Sequence, residues 1–154
     1  MRRAIRYPIA DIVPHAGKMS LLDRALEGDD ASLLAEVTIR PDSLFFDGAG
    51  VGAWVGIEYM AQAIAAWAGW QSRQQGEAPK VGFLLGTRRY ECNRAHFLLG
   101  ETLQIEVHRQ FQADNGLSQF ECAICIQGEP VANAALTAFR PDNVEQFLQG
   151  GRHE

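Results

Sequence analysis

Residues 53–70 read AWVGIEYMAQAIAAWAGW, apolar throughout except for Glu58 and Gln62, which fall one helical turn apart. A bilayer span needs about 20 apolar residues, and a carboxylate at bilayer depth is costly. The stretch therefore predicts a helix buried at the centre of a soluble core, where helices that are apolar all round belong. It runs to about Gln75, with Gly76 and Pro79 as the stop signal. Upstream, Leu33, Ala35, Val37 and Ile39 alternate with Leu34, Glu36, Thr38 and Arg40, the period-two pattern of a half-buried strand. Pro41 and Asp42 end that strand, and a loop containing Gly48, Gly50 and Gly52 leads into the helix.

Downstream the pattern is all strand. Val81–Cys92 reads as one, and Leu103, Ile105, Val107 and Phe111 alternate with polar neighbours in the next. Asp114-Asn115-Gly116 is a hairpin signal, after which Phe120, Cys122, Ile124 and Ile126 alternate in a third strand. Gly128-Glu129-Pro130 turns the chain into Val131–Phe139. A strand or two, one long helix and then an antiparallel meander of four strands imply an α+β fold. The helix can be covered only if the sheet curls around it. Open sheet edges predict pairing with a second subunit, as a homodimer or a heterodimer. The 154 residues suit one domain over 1–154, with 146–154 as a loose tail.

The composition, 47% hydrophobic and 21% charged, is that of a folded domain, and the net charge is −5. That balance argues against a nucleic-acid binder, and no basic run follows Arg2-Arg3 to draw the chain to an anionic membrane. The opening MRRAIRYPIADIVPH lacks a signal-peptide pattern, so a cytoplasmic location is expected. Three cysteines cannot build a disulfide framework. Cys122 and Cys125 have redox-pair spacing, but on a strand they face opposite sides about 10 Å apart, beyond a disulfide's reach. No two histidines show metal-ligand spacing with a carboxylate, so neither a metal nor another cofactor is expected.

Glu58 carries the strongest chemical signal. Burial at that position would disfavour its charged form and make it a proton donor. Gln62, four residues on, shares its helix face and is placed to orient the carboxyl. Glycines before a helix let a ligand approach the backbone, so Gly50 and Gly52 are candidates to bind a carbonyl that gains negative charge. The alternative for them is a plain flexible loop. His15, in PHAGKMSLLD (residues 14–23), lies outside regular structure.

That segment, together with GIEYMAQAIAA (56–66), GTRRYECNRAHFLLGETLQIEV (86–107) and GEPVANAALTAF (128–139), resembles the bacterial 3-hydroxyacyl-(acyl carrier protein) dehydratases of the hot-dog fold. The likeness is greatest to the dehydratase-like subfamily linked to aryl-polyene pigment pathways. The resemblance implies a curved sheet around a central helix, two subunits joined edge to edge, and an acyl chain tethered to acyl carrier protein in an interfacial tunnel. It implies that Glu58 protonates the departing hydroxyl, with Gln62 beside it. The family's histidine base lies fourteen positions before the glutamate, where this chain has Leu44. Two hypotheses follow: His15 supplies the base, or the chain is a degenerate partner of an active dehydratase subunit. Arg88 and Arg89, with Arg94 near, are candidates to dock the acidic carrier. A hot-dog thioesterase and a non-catalytic acyl-chain sensor are the alternatives from other classes.

Overall fold

The structure, a computed structural model, describes residues 1–14, 17–76, 83–113 and 116–139. His15, His153, Pro79, Val81, the Asp114-Asn115 corner and the expected tail at 146–154 lie outside the described residues. The apolar stretch forms helix α1, Gly56–Gln74, preceded by a single 3-10 turn, Ala53–Val55. The helix begins three residues later than its apolar pattern because other elements hold Ala53. Its N–H donates to the Ala95 carbonyl at 2.9 Å, and its own carbonyl accepts from the Tyr90 hydroxyl. Gly76, at φ +75°, ends the helix in the left-handed conformation that favours glycine.

Three strands precede the helix in the main sheet: β1 (Arg3–Ala4), β2 (Arg24–Gly28) and β3 (Ser32–Thr38). A short β4 (Gly50–Gly52) enters it. After it come β5 (Phe83–Cys92), a short β6 (His96–Leu98), β7 (Thr102–Gln112), β8 (Leu117–Ile126) and β9 (Glu129–Phe139). Seven strands form one sheet in the order β1-β2-β3-β7-β8-β9-β5, while β4 and β6 make a separate ribbon. The alternation read from the sequence holds where it matters. Leu33, Ala35 and Val37 oppose Val107, Ile105 and Leu103 in register, and all six are buried. Each such side chain removed from water contributes about 2 kcal/mol, and Ala35 less.

The expected four-strand meander is corrected. One edge of β7 is taken by β3 and the other by β8, so β5 cannot pair with it. It lies instead against β9, from Phe83↔Phe139 to Cys92↔Ala132, at the edge of the sheet. The sheet wraps α1, whose Tyr59, Met60, Ala63, Ala66, Trp67 and Trp70 are buried in the common core. Trp67 meets Phe120 of β8 edge to face at 5.5 Å. Gly69 admits the N-terminal segment, since a Cβ there would sit 1.8 Å from the Ile12 carbonyl oxygen. This is the hot-dog architecture. Ile57, Glu58, Ala61, Ala65 and Ala68 form a half-buried stripe along the helix.

Candidate active site

The first turn of α1 holds Glu58, and the next turn holds Gln62, which is only 1% exposed. A buried primary amide must satisfy both its ends, and Gln62 does so. Its Oε1 accepts the Leu21 N–H at 2.8 Å. Its Nε2 donates to the Met19 carbonyl at 2.7 Å and to Glu58 Oε1 at 3.3 Å. Gln62 thus fastens the Met19–Leu21 segment to the helix and reaches the carboxyl of Glu58 with the same nitrogen. Glu58 itself is half-buried and not enclosed, because its helix face belongs to the stripe that the chain's own sheet leaves uncovered.

The loop before the helix is tightly pinned. Asp47 Oδ1 accepts the N–H groups of Ala49 (3.0 Å) and Gly50 (3.1 Å), and Asp47 N–H donates to the Gly50 carbonyl at 2.9 Å. The Ala49 N–H, then that of Gly50, then the His96 side chain hold the Asp47 carboxyl below the usual carboxylate range. Asp47 Oδ2 lies 3.0 Å from His96 Nε2. Phe45 adopts φ +70°, a left-handed backbone costing of order 1 kcal/mol for an aromatic residue, and its ring meets Trp54 at 5.1 Å.

Gly50 and Gly52, the glycines expected to bind a carbonyl, form β4 just before the helix. The Gly50 N–H is already taken by Asp47. Both glycines are shaped by the chain itself: a Cβ at Gly50 would sit 2.3 Å from the Phe97 carbonyl, and one at Gly52 2.5 Å from the Trp54 indole nitrogen. Pairing of β4 with β6 thus sets Phe97 against Gly50, while Trp54 of the 3-10 turn lies over Gly52. The basic patch is also partly neutralised. The Arg89 guanidinium meets Glu121 at 2.8 Å and Asn133 at 3.1 Å, and Arg94 pairs with Glu101. Arg88 donates to the neutral Gln119 amide at 3.1 Å. Leu44 occupies the loop as read, half-buried. Cys122 is buried and Cys125 only half-buried; both are free thiols. A groove of about 300 Å³ at the far end of α1, bounded by Arg3, Arg6, Tyr7 and Trp70, contains none of the predicted residues.

A family model described as "ApeP dehydratase" matches residues 7–149. The chain belongs to the ApeP-like dehydratase family. Among solved structures it is similar to the dehydratase heterocomplex ApeI:P from Xenorhabdus doucetiae. The match has 29% identity and a TM-score of 0.85, covering 94% of this chain and 97% of that one. It shares its fold with the E. coli PaaI protein of the phenylacetic acid degradation operon, at 16% identity and a TM-score of 0.59 over 75% and 81% of the two chains. A thioesterase protein from Streptococcus pneumoniae, solved with coenzyme A, is likewise similar in fold, with 14% identity and a TM-score of 0.60 over 75% and 83%. No curated protein sequence matches significantly. Among the described residues no helix is long and apolar enough to cross a membrane, and no group of three or more metal-binding side chains gathers.

The Asp47–His96 pair is what sequence reasoning missed. The partners are 49 residues apart, and the ribbon that joins them is three residues long on each side.

Proposed function

We propose that this ApeP-like chain eliminates water from 3-hydroxyacyl thioesters carried on acyl carrier protein, with Glu58 as the proton donor. The observation that carries this reading is the Glu58–Gln62 pair, fastened by Gln62 to the Met19–Leu21 segment in a chain of a dehydratase family. A proton donor must be held still while the hydroxyl leaves, and a buried amide bonded at both ends is a rigid holder. His15, four residues before Met19, is a candidate for the base. Arg88, which meets only a neutral amide among the described residues, is the arginine left to contact an acidic carrier in the cytoplasm.

The half-buried stripe bearing Glu58 and the outer edge of β5 call for a second hot-dog subunit, as in the ApeI:P heterocomplex. The test is direct. The purified protein, with any subunit that accompanies it, is incubated with a 3-hydroxyacyl carrier-protein thioester and the products are resolved by mass spectrometry. Enoyl product is expected, and Glu58→Gln is expected to lower its rate by about 10²–10⁴ while preserving the melting temperature. Free carrier thiol in place of enoyl product would reassign the protein as a thioesterase. Binding without turnover would reassign it as a sensor or a degenerate partner.

A further inference from the structure

We infer that His96, oriented by Asp47, is the base that removes the C2 proton in this elimination. The inference rests on the dehydratase reading above and names the base that would work with Glu58. Three observations carry it.

The first is the pair itself. A general base is recognised by a carboxylate that fixes one ring nitrogen and leaves the other for substrate. Asp47 binds His96 Nε2 at 3.0 Å, and Nδ1 has no hydrogen-bond partner among the described residues. Asp47 is in turn immobilised by two backbone N–H groups, so the imidazole is aimed by a rigid support. The second is placement. His96 opposes Gly52, and the Ala53 N–H donates to the Ala95 carbonyl, so the histidine is fastened to the entrance of α1. Glu58 lies six residues beyond Gly52, about 10 Å of helical rise. Two side chains and the reacting carbons of a thioester fill such a gap. The third is exposure. Val51 and Phe97 point into the core, fully buried, so their neighbour His96 points to the other face, where its side chain is 35% exposed.

In the step, His96 Nδ1 takes the C2 proton. The C2–H electron pair becomes the C2=C3 π bond, the C3–O bond breaks, and the hydroxyl takes the Glu58 proton and leaves as water. Imidazolium and carboxylate then exchange protons with solvent. Asp47 is a positioning residue. Among the described residues, Arg94, two positions before His96, pairs with Glu101.

The test measures kcat and KM against pH for the wild type and for His96→Asn, Asp47→Asn, His15→Ala and Glu58→Gln. His96→Asn is expected to lower kcat at least 100-fold with KM little changed. Asp47→Asn should lower kcat about tenfold with KM little changed, because the imidazole loses the carboxylate that aims it. His15→Ala separates the two candidate bases: a 100-fold loss of kcat there, with full kcat in His96→Asn, places the base at His15 and overturns the inference. Full kcat in His96→Asn overturns the inference, as does a loss confined to KM or to melting temperature. If the wild type forms enoyl product, Glu58→Gln abolishes it and His96→Asn does not, only the base assignment falls. If the wild type forms none, both fall.

Discussion

Gln62→Met tests the fastening of the N-terminal segment to the helix. Methionine keeps the volume and apolar stem of glutamine but removes all three hydrogen bonds of the amide. The Met19 carbonyl belongs to an exposed residue and turns to water at little cost, whereas the Leu21 N–H, part-buried, loses its acceptor outright. An unsatisfied donor of that kind costs about 1–3 kcal/mol, which lowers Tm by about 6 °C at the midpoint for a chain of this size. Differential scanning calorimetry reads the loss, and hydrogen exchange at the Leu21 amide locates it. Gln62→Glu adds a sign. A protonated carboxyl can accept from Leu21 and donate to Met19; a carboxylate would face that carbonyl and Glu58 one turn away. The folded state therefore holds the extra proton more tightly than the unfolded chain, and the stability deficit of Gln62→Glu grows as pH rises from 5 to 8. A Gln62→Met protein melting within about 1 °C of wild type, with Leu21 equally protected, would refute the clamp.

Gly69→Ala forces a Cβ to within 1.8 Å of a backbone oxygen that cannot yield like a side chain. A cost of about 3 kcal/mol or more is expected, seen as a Tm roughly 10 °C lower by calorimetry. The Cys122 thiol is pushed up to about 12, first by burial and then by Glu121. Iodoacetamide at pH 8 should leave it unlabelled by mass spectrometry until the protein is denatured. The carboxyl of Asp29 is held below its usual range, first by the Ala31 N–H and then by the Ser32 hydroxyl. Its contribution is therefore present at neutral pH and lost as pH falls through the acid range, so Asp29→Asn should flatten the decline of stability below pH ~4 in urea titrations.

The helix and the β3–β7–β8 core are legible because each rests on a local period that burial enforces. Leu33, Ala35 and Val37 are wholly or almost wholly buried, as alternation requires, and a helix as apolar as residues 53–70 has only a core to occupy. The placement of β5 is not legible by the same means. Its alternation is equally satisfied beside β7 or beside β9; the choice follows from β3 reaching back across the helix to claim β7, a contact with no local signature. The start of the helix is displaced for a similar reason. Ala53 has the composition of a helix residue, yet its N–H and carbonyl are bound by Ala95 and Tyr90, some forty residues downstream.

The site divides along the same line. Glu58 and Gln62 stand out because a polar side chain inside an apolar helix must be bonded or useful, and their spacing places them on one face. Gly50 and Gly52 are less legible: a glycine before a helix leaves room, but the sequence does not say what enters it. Here the room is taken by Phe97 and Trp54. The close seat of Phe97 against Gly50 helps bring His96 to the helix entrance, since a Cβ at Gly50 would meet the Phe97 carbonyl. Gly50 is thus a condition for the His96–Asp47 pair. A bulky substitution at Gly50 should therefore lower kcat with KM little changed, by parting β6 from the loop without touching Glu58.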